Sequence, residues 1–455
     1  MTVSTAPPKC PCCNNPWAAA TGDLFAKLCQ TCEERTPEDM ALNRANMDFD
    51  VSPQDNFYMY ANGNWIRNNP IPAGYPSWNS FLTLHVQSQE RCKDLLKELE
   101  EKKGANAESD DDEEAQKVAS FYTAAMDEDT IEKAGTEPLK PVLELVEETV
   151  ANQEKGDNVA YAACLGKLLY KYGISTFFPI GASPDNKNTD LTICQVSQGG
   201  IGLPDRDYYF DEDKEEQREK YRQHIAKQLT FLQDPTAKEP TEEMTKAAMD
   251  IYEMEKKIAE KHMTATEKRD PHATYNKMSL EDLTGATCKG VFDFPSFFVH
   301  AAEGKGGSLG DINVRQPESL ERTAGVASTV SPSTLRHFLR WKVVKSCAPY
   351  LSKVFVDENF DFYERTLSGT QEQKPRWKRA MAMTESAVGE ALGKLYCARY
   401  FDESSKERAL AIVEQVRTAL EERLNEVEWM QSSTREEALK KMSRFGVKVS
   451  SLFDG

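Results

Sequence analysis

Histidine is scarce in this chain, and the spacing of its histidines excludes the best-known zinc hydrolase motif. The 455 residues contain six histidines, which are His85, His224, His262, His272, His300 and His337. No two of them stand four residues apart, and none is followed by glutamate. The helical H-E-x-x-H motif needs both features, because histidines four apart share one helix face and the glutamate polarises zinc-bound water. The sequence therefore predicts no catalytic zinc site in these residues.

Long apolar runs, glycosylation sites and phosphate loops are also missing. The first thirty residues show no charged start followed by an apolar run. No stretch elsewhere approaches the roughly 20 apolar residues that span a bilayer. No Asn-x-Ser/Thr sequon occurs, and the glycine-rich stretch 303–310 is not followed by Gly-Lys-Ser/Thr. These absences predict a cytoplasmic protein without a membrane span or a phosphate loop.

The charge balance is strongly acidic, with a formal net charge of -18. Nucleic acids and anionic membrane surfaces would repel such a chain. The short basic patch Arg376-Trp377-Lys378-Arg379 is more typical of a packed tryptophan with charged neighbours than of nucleic-acid contact. Peptides, proteins and small molecules remain as partners. A hydrophobic content of 39% is enough for a sizeable core in two or three units.

Five of the eleven cysteines crowd the first 32 residues. Cys10 and Cys13, then Cys29 and Cys32, form two C-x2-C pairs separated by fifteen residues. Two such pairs can place four thiolates around one Zn²⁺, which would stabilise a segment too short for a core. We therefore predict a structural zinc site, although Cys12 can exchange with either neighbour. A disordered or redox-labile cysteine-rich tail is the alternative, and the other six cysteines are expected to be reduced and buried.

Aromatic residues and prolines dominate the stretch 53–81, PQDNFYMYANGNWIRNNPIPAGYPSWNSF. Asn-Gly favours positive φ, and proline pushes the residue before it into an extended conformation. The stretch therefore predicts a short helix, a turn at 62–64 and an extended arm. Its aromatic rings are expected to be buried.

This stretch resembles the opening of the neprilysin and endothelin-converting-enzyme family of zinc metallopeptidases. The residues that fit the family pattern there are Asp55, Phe57, Tyr58, Tyr60, Asn62, Gly63, Trp65, Ile71, Pro72, Trp78 and Phe81. The later matches, in the family's order, are Gly202-Leu203-Pro204-Asp205-Arg206-Asp207-Tyr208-Tyr209, then Arg269-Asp270-Pro271 with Tyr275-Asn276-Lys277-Met278, then Trp429-Met430 with Thr434-Arg435 and Ala438. Four ordered matches across roughly 400 residues make the resemblance specific.

The resemblance implies the mainly α-helical N-terminal lobe of such a peptidase, which in complete relatives roofs a chamber that admits small peptides. It covers about residues 53–445 and stops where the family's catalytic domain is expected. Neither the family's Asn-Ala-Tyr/Phe strand nor its zinc helix with a downstream glutamate ligand follows. We therefore expect a metalloendopeptidase by descent that is inactive without a missing catalytic lobe. The alternative is a catalytically dead module that binds peptides or proteins.

His85 stands where the resemblance implies a substrate-binding residue. Many relatives carry an arginine four residues after the phenylalanine matched by Phe81, and this arginine helps to bind the C-terminal end of the peptide. Histidine is mostly uncharged near neutral pH and offers no bidentate clamp to a carboxylate. His85 is thus the candidate substrate-binding residue, and an ordinary residue at a helix start is the alternative.

The pattern along the chain predicts a mainly α fold with one β-hairpin, formed by 174–183 and 189–197. A helix over 331–356 is expected to be capped by Ser331, with Pro332 at its first position. An irregular segment is expected at 285–310. The predicted domains are a Cys-rich segment 1–35, a linker 36–52, the neprilysin-type domain 53–445 and a tail 446–455. Further helices are expected at 87–103, 109–126, 138–150, 159–172, 212–233, 241–263, 360–367, 377–400, 405–429 and 433–445.

Overall fold

A computed structural model of the chain describes residues 43–101, 110–302 and 310–449. The chain divides into two compact units, 1–84 and 85–455. The described residues form seventeen α-helices and four short strands, which confirms the expected mainly helical fold. No helix among them is both long and apolar enough to cross a membrane.

The helices are numbered in chain order. They are α1 (Phe57–Asn68), α2 (Ser80–Glu101), α3 (Asp110–Met126), α4 (Glu128–Ala134), α5 (Lys140–Glu154), α6 (Asn158–Tyr172), α7 (Asp207–Phe210), α8 (Glu215–Gln233), α9 (Glu242–Ala259), α10 (Leu280–Asp282), α11 (Phe294–Ala301), α12 (Pro317–Thr329), α13 (Pro332–Cys347), α14 (Lys353–Asn359), α15 (Arg376–Tyr400), α16 (Glu403–Glu426) and α17 (Ser432–Ser443). The strands are β1 (Ile180–Asp185), β2 (Asn188–Val196), β3 (Lys277–Met278) and β4 (Ile312–Val314).

In the first unit, the expected turn at 62–64 is wrong, because these residues lie inside α1. A Cβ added to Gly63 would lie 2.7 Å from the Cβ of Asp48, so this glycine permits Asp48 to pack against the helix. Asp48 also accepts a hydrogen bond from Arg67 Nη1 at 2.7 Å. Glycine is therefore needed at this position because Asp48 lies so close to the helix, and not because the backbone has a positive φ.

The expected burial of the aromatic rings in this stretch is wrong at three positions, and the most exposed of the three is Phe81 of α2, at 82%. Phe57 and Tyr58, in the first turn of α1, are 68% and 66% exposed. Asn56 caps this helix by accepting a hydrogen bond from the backbone N–H of Met59. The local sequence therefore starts the helix correctly, but it does not bury the rings at its start.

The predicted hairpin is present, and it belongs to a larger sheet. β1 and β2 pair antiparallel, with Ile180 opposite Val196. β4 lies parallel to β2, and β3 pairs antiparallel with β4, so the strand order is β1-β2-β4-β3. The two added strands have only two and three residues. Such short strands carry no recognisable alternation of polar and apolar residues, so the sequence analysis missed them.

The main hydrophobic core of the second unit lies between the sheet and helices α5, α6, α8, α9 and α11 to α14. Trp341 of α13 and Tyr221 of α8 are completely buried there. A smaller core joins α2, α3 and α15 through residues that include Leu96, Val118 and Met381. The second unit thus has two apolar centres, which are built from different helices.

The GLPDRDYY segment at 202–209 is part of the main core. The hydroxyls of Tyr209 and Tyr221 donate to one carboxylate oxygen of buried Glu255, at 2.8 and 2.7 Å. A Cβ on Gly202 would lie 1.8 Å from the Tyr221 hydroxyl oxygen, so only glycine fits beside this pair. Burial and next the Glu255 carboxylate raise the pKa of Tyr209 well above its ordinary value. The segment therefore has a structural role in this core.

Two helix predictions need correction. Ser331 caps α13 with Pro332 at the first position, as expected, but the helix ends at Cys347. A 3-10 turn that contains Pro349 follows it, and α14 begins only at Lys353. Proline cannot donate an intrahelical hydrogen bond, which explains the break. The segment 285–310, expected to be irregular, contains α11, which Asp293 caps.

Candidate functional site

A cleft of about 320 Å³ opens in the second unit where helices of the small core meet a helix of the main core. Helix α2 supplies one wall and α15 the facing wall. The third wall is α14 together with the π-helical turn Phe360–Thr366 that continues it. The lining residues are His85, Gln89, Pro349, Tyr350, Val356, Asn359, Phe360, Glu364, Gln373, Lys374, Lys378, Arg379, Ala382, Met383 and Glu385.

Three apolar side chains form the floor of the cleft. Val356 of α14, Phe360 of the π-helical turn and Met383 of α15 are each less than a tenth exposed and line the cavity. π-helical turns occur frequently at functional sites, since they change the direction of side chains within an otherwise helical segment. Here the turn directs Phe360 and Glu364 to the cleft, while Phe362 between them is buried in the main core.

The candidate substrate-binding residue, His85, lies at the edge of this cleft in the second turn of α2. Its side chain is exposed. Gln89 follows one turn later on the same helix face and also lines the cleft, although it is only 6% exposed. These two residues are the polar groups that α2 presents to the cavity.

Both signs of charge surround the cleft, and the basic patch contributes most of the positive ones. Lys374, Lys378 and Arg379 line it together with Glu364 and Glu385. The chain as a whole carries a net charge of -18, so these three basic residues form a local concentration of positive charge. The cleft can therefore accommodate polar groups of a ligand at its edge and apolar groups at its floor.

Salt bridges and ring contacts fix the basic patch in place. Arg379 Nη2 lies 3.2 Å from Glu128 Oε1, and the Lys93 ammonium stands 4.1 Å above the Trp377 ring. Burial, and next the neighbouring Arg379, lower the pKa of Arg376. These contacts agree with the prediction that Trp377 is a packed tryptophan with charged neighbours.

The other histidines lie in separate places. His224 is buried in the main core and contacts Glu358 at 3.1 Å, and burial lowers its pKa. His262 donates to the Gly199 carbonyl at 3.1 Å, and burial lowers its pKa to about 4. Within the described ranges, no three His, Cys, Asp or Glu side chains come together as metal ligands would. The described residues therefore do not fit a catalytic zinc.

The predicted cysteine ligands Cys10, Cys13, Cys29 and Cys32 lie outside the described residues. Of the six scattered cysteines, five are free thiols, as expected, and these are Cys92, Cys164, Cys194, Cys288 and Cys347. Cys92, Cys164 and Cys288 are buried, and the other three of the six are half-buried. Burial, and next the Glu385 carboxylate, raise the pKa of Cys92 to about 11, so this thiol is unreactive at neutral pH.

His85 and the basic patch could be predicted from the sequence, whereas their meeting at one cleft and the position of Gln89 in its lining were not predicted. The spacing of Gln89 from His85 was an available signal, because residues four apart lie on one helix face. Phe360 and Met383 carried no signal of their own, since an apolar residue on a helix is usually only a core residue.

Comparison with known proteins relates most of the described residues to one family. The family model described as peptidase family M13 matches residues 53–451. Human endothelin-converting enzyme 1 is 28% identical over 408 residues, which cover 87% of this chain and 50% of that enzyme. Neprilysin-3 of Drosophila melanogaster is 26% identical over 88% of this chain and 50% of its own length. The chain thus spans about half the length of the curated relatives it matches.

Solved protein structures also match this chain over most of its length. The crystal structure of Mycobacterium tuberculosis zinc metalloprotease Zmp1 in complex with an inhibitor matches with a TM-score of 0.78 and 29% identity. The match covers 88% of this chain and 58% of that protein. PepO from Lactobacillus rhamnosis HN001, at 16% identity and a TM-score of 0.68, shares the fold.

Proposed function

This chain belongs to peptidase family M13, and on that premise we propose that it is the N-terminal, peptide-binding half of a zinc metalloendopeptidase whose hydrolytic centre requires a C-terminal half. The sequence contains no H-E-x-x-H, and the relatives are about twice as long. Catalytic zinc would be held by the other half. The residues of this chain would bind and orient the peptide and exclude water from it.

The observation that carries this proposal is the surface of α16. This helix has 24 residues and buries none of them within the described part of the chain. Ile412, Val416 and Leu420 follow one another at spacings of four and are 50%, 64% and 39% exposed. An apolar stripe of this length on a soluble protein marks a surface that another element covers. We assign that role to the catalytic half, since α16 lies near the end of the segment shared with the relatives.

A peptidase assay tests the proposal. The purified 455-residue chain is incubated with Zn²⁺ and a short fluorogenic peptide, with and without a chelator, beside a complete family M13 peptidase. We expect no chelator-sensitive cleavage by this chain. Chelator-sensitive cleavage that co-purifies with it would contradict the proposal.

The alternative is a catalytically dead interaction module, and the genome distinguishes the two. An in-frame exon downstream of Gly455 that encodes H-E-x-x-H would favour the peptidase half. Its absence, together with peptide binding by the 455-residue chain, would favour the binding module.

His85 is proposed to contact the bound peptide at the edge of the cleft. An arginine at this position would add a bidentate, charge-assisted pair to a carboxylate. We therefore expect H85R to tighten the binding of N-acetylphenylalanine, which ends in a carboxylate, by about tenfold. The binding of the corresponding amide should stay unchanged. Equal effects on both probes would contradict a carboxylate contact at this position.

We propose that the cysteine-rich segment holds one structural Zn²⁺ through Cys10, Cys13, Cys29 and Cys32. The support for this proposal is the spacing of these cysteines. Metal analysis should find about one zinc per chain. The double variant C29S/C32S should lose it, and C347S should retain it as the matched control. A zinc-free wild type with four freely titrating thiols in zinc-containing buffer would end this proposal.

A further inference from the structure

Within the described part of the chain, four buried polar atoms of the main core have no hydrogen-bond partner. They are Nε2 of His224 in α8, Oε1 of Glu255 in α9, Nε1 of Trp341 in α13 and the hydroxyl oxygen of Tyr363 in the π-helical turn. Buried polar groups in native structures are almost always paired, because removing one from water without a partner is unfavourable. Four such atoms in one region therefore point to a ligand that pairs with them.

The side chains that carry these atoms are in contact with one another. The ring of His224 packs edge-on against Trp341 and Tyr363, with ring centroids 5.3 and 5.4 Å apart. Glu255 joins them through Tyr221, whose hydroxyl donates to Glu255 Oε2 at 2.7 Å and whose ring centroid lies 6.2 Å from that of Trp341. The four atoms therefore belong to one cluster, in which α8, α9, α13 and the π-helical turn meet.

The cluster offers two hydrogen-bond donors and two acceptors. The indole N–H of Trp341 and the hydroxyl of Tyr363 can donate, and Glu255 Oε1 accepts. Nδ1 of His224 lies 3.1 Å from the carboxylate of Glu358, which can only accept, so the ring proton is on Nδ1 and Nε2 is an acceptor. Burial lowers the pKa of His224, which favours this neutral form of the ring.

Water is the ligand that matches this set of groups. One water molecule can donate two hydrogen bonds and accept two, and buried waters in proteins make about three. An anion would be repelled by the Glu255 carboxylate. A metal ion would be repelled by the Lys342 ammonium, which stands 3.9 Å from Glu255 Oε1. That distance is too long for a direct hydrogen bond, and a water molecule can bridge it.

We propose that the side chains of His224, Glu255, Trp341 and Tyr363 form a buried hydration site that holds about one or two water molecules. The water accepts from the indole and the hydroxyl, and it donates to the carboxylate and the imidazole. None of the four residues lines the cleft, so the site is separate from the cleft and does not depend on the proposed function. It connects the buried side of the π-helical turn to three helices, while Phe360 of the same turn lines the cleft.

The sign of a stability change tests this inference. Y363F removes one hydroxyl at nearly constant volume. If the hydroxyl is bonded to buried water, the ratio of unfolded to folded chain should rise about fivefold, because a hydrogen bond is lost. If the hydroxyl is unpaired in a dry core, the ratio should stay equal or fall, because an unsatisfied buried group is removed. Urea denaturation of the 455-residue chain measures this ratio.

Two tyrosines of the same unit are matched controls. Tyr161 donates directly to the Ala327 carbonyl at 2.8 Å, so Y161F should also raise the ratio of unfolded to folded chain. Tyr350 is 51% exposed, so Y350F should leave the ratio unchanged. A Y363F chain that behaves like Y161F supports the hydration site. A Y363F chain that behaves like Y350F, or that is more stable than the wild type, contradicts it.

Nuclear magnetic resonance of the 455-residue chain detects the water itself. The indole N–H signal of Trp341 is identified by its absence from the spectrum of W341F or, if that variant does not fold, of W341Y. In a rotating-frame Overhauser experiment it should show a cross-peak to water of opposite sign to the diagonal, because the water is held beside the indole. The signal should shift in Y363F and not in Y350F, since Tyr363 shares the water. An indole signal without this cross-peak in the wild type would overturn the inference.

Discussion

Helices α9 and α16 contain similar apolar side chains and use them in opposite ways. α9 has 18 residues and buries nine of them, among them Ile251 and Ile258. α16 has 24 residues and buries none within the described part of the chain, although it carries Ile412, Val416 and Leu420. Burial of an amphipathic face supplies most of the stability of a helix in a protein. α9 has such a buried face, whereas the apolar stripe of α16 is exposed in the described part of the chain. The difference locates the surface that another element is expected to cover.

The largest expected contrast is between two leucines, Leu339 of α13 and Leu420 of α16. Leu339 is completely buried, so L339A leaves a cavity and should lower the free energy of unfolding by about 3–5 kcal/mol. Leu420 is 39% exposed, and L420A should change it by less than about 0.5 kcal/mol. Urea denaturation measures both. Equal losses would mean that α16 is already packed.

The next largest effect is a loss of core stability in acid, through His262. Burial lowers the pKa of His262 to about 4 in the folded chain. The unfolded chain takes up this proton near pH 6.5. The neutral His262 imidazole therefore makes its full contribution to the stability of the folded chain above about pH 6.5, and this contribution is lost as the pH falls towards 4. The loss is about 3 kcal/mol.

Urea denaturation across this pH range compares the wild type with H262Q, which cannot take up the proton. The stability of the wild type relative to H262Q should decline as the pH falls. A difference that stays constant would contradict a buried neutral imidazole. α16 contains no histidine, so no side chain of this helix should contribute to the loss of stability by histidine protonation.

A smaller effect is expected from two glycines with different surroundings. G202A places a Cβ that would lie 1.8 Å from the Tyr221 hydroxyl oxygen, and it should lower the free energy of unfolding by about 1–3 kcal/mol. G325A, in α12, meets nothing within 4 Å and should raise it by about 0.4–1 kcal/mol. Calorimetry of both variants checks the signs. A neutral G202A would mean that Tyr221 does not pack against Gly202.

Local chemistry made much of the fold predictable. Ser331 and Pro332 mark the start of α13 because a cap and a first-turn proline act within a few residues. The hairpin around 185–188 was found for the same reason, since its signals are adjacent in the chain.

The errors concern residues whose role depends on distant partners. Gly63 suggested a turn, but its function is set by Asp48, fifteen residues earlier. The pairing of β4 with β2 and the exposure of Phe57 were likewise decided by tertiary structure. At the candidate site, His85 could be named from the resemblance, whereas the place of Gln89 in the lining of the cleft is visible only once the cleft is formed.

The central claim is that an element of the catalytic half covers α16. Hydrogen exchange tests this claim most directly. The amides of α9 and α16 are compared by mass spectrometry in the same 455-residue sample, whose monomeric state is checked by light scattering. We predict that the amides of α16 exchange at least about a hundredfold faster than those of α9, because local opening of a helix without buried residues costs little. Equal protection of the two helices in a monomer would contradict the account.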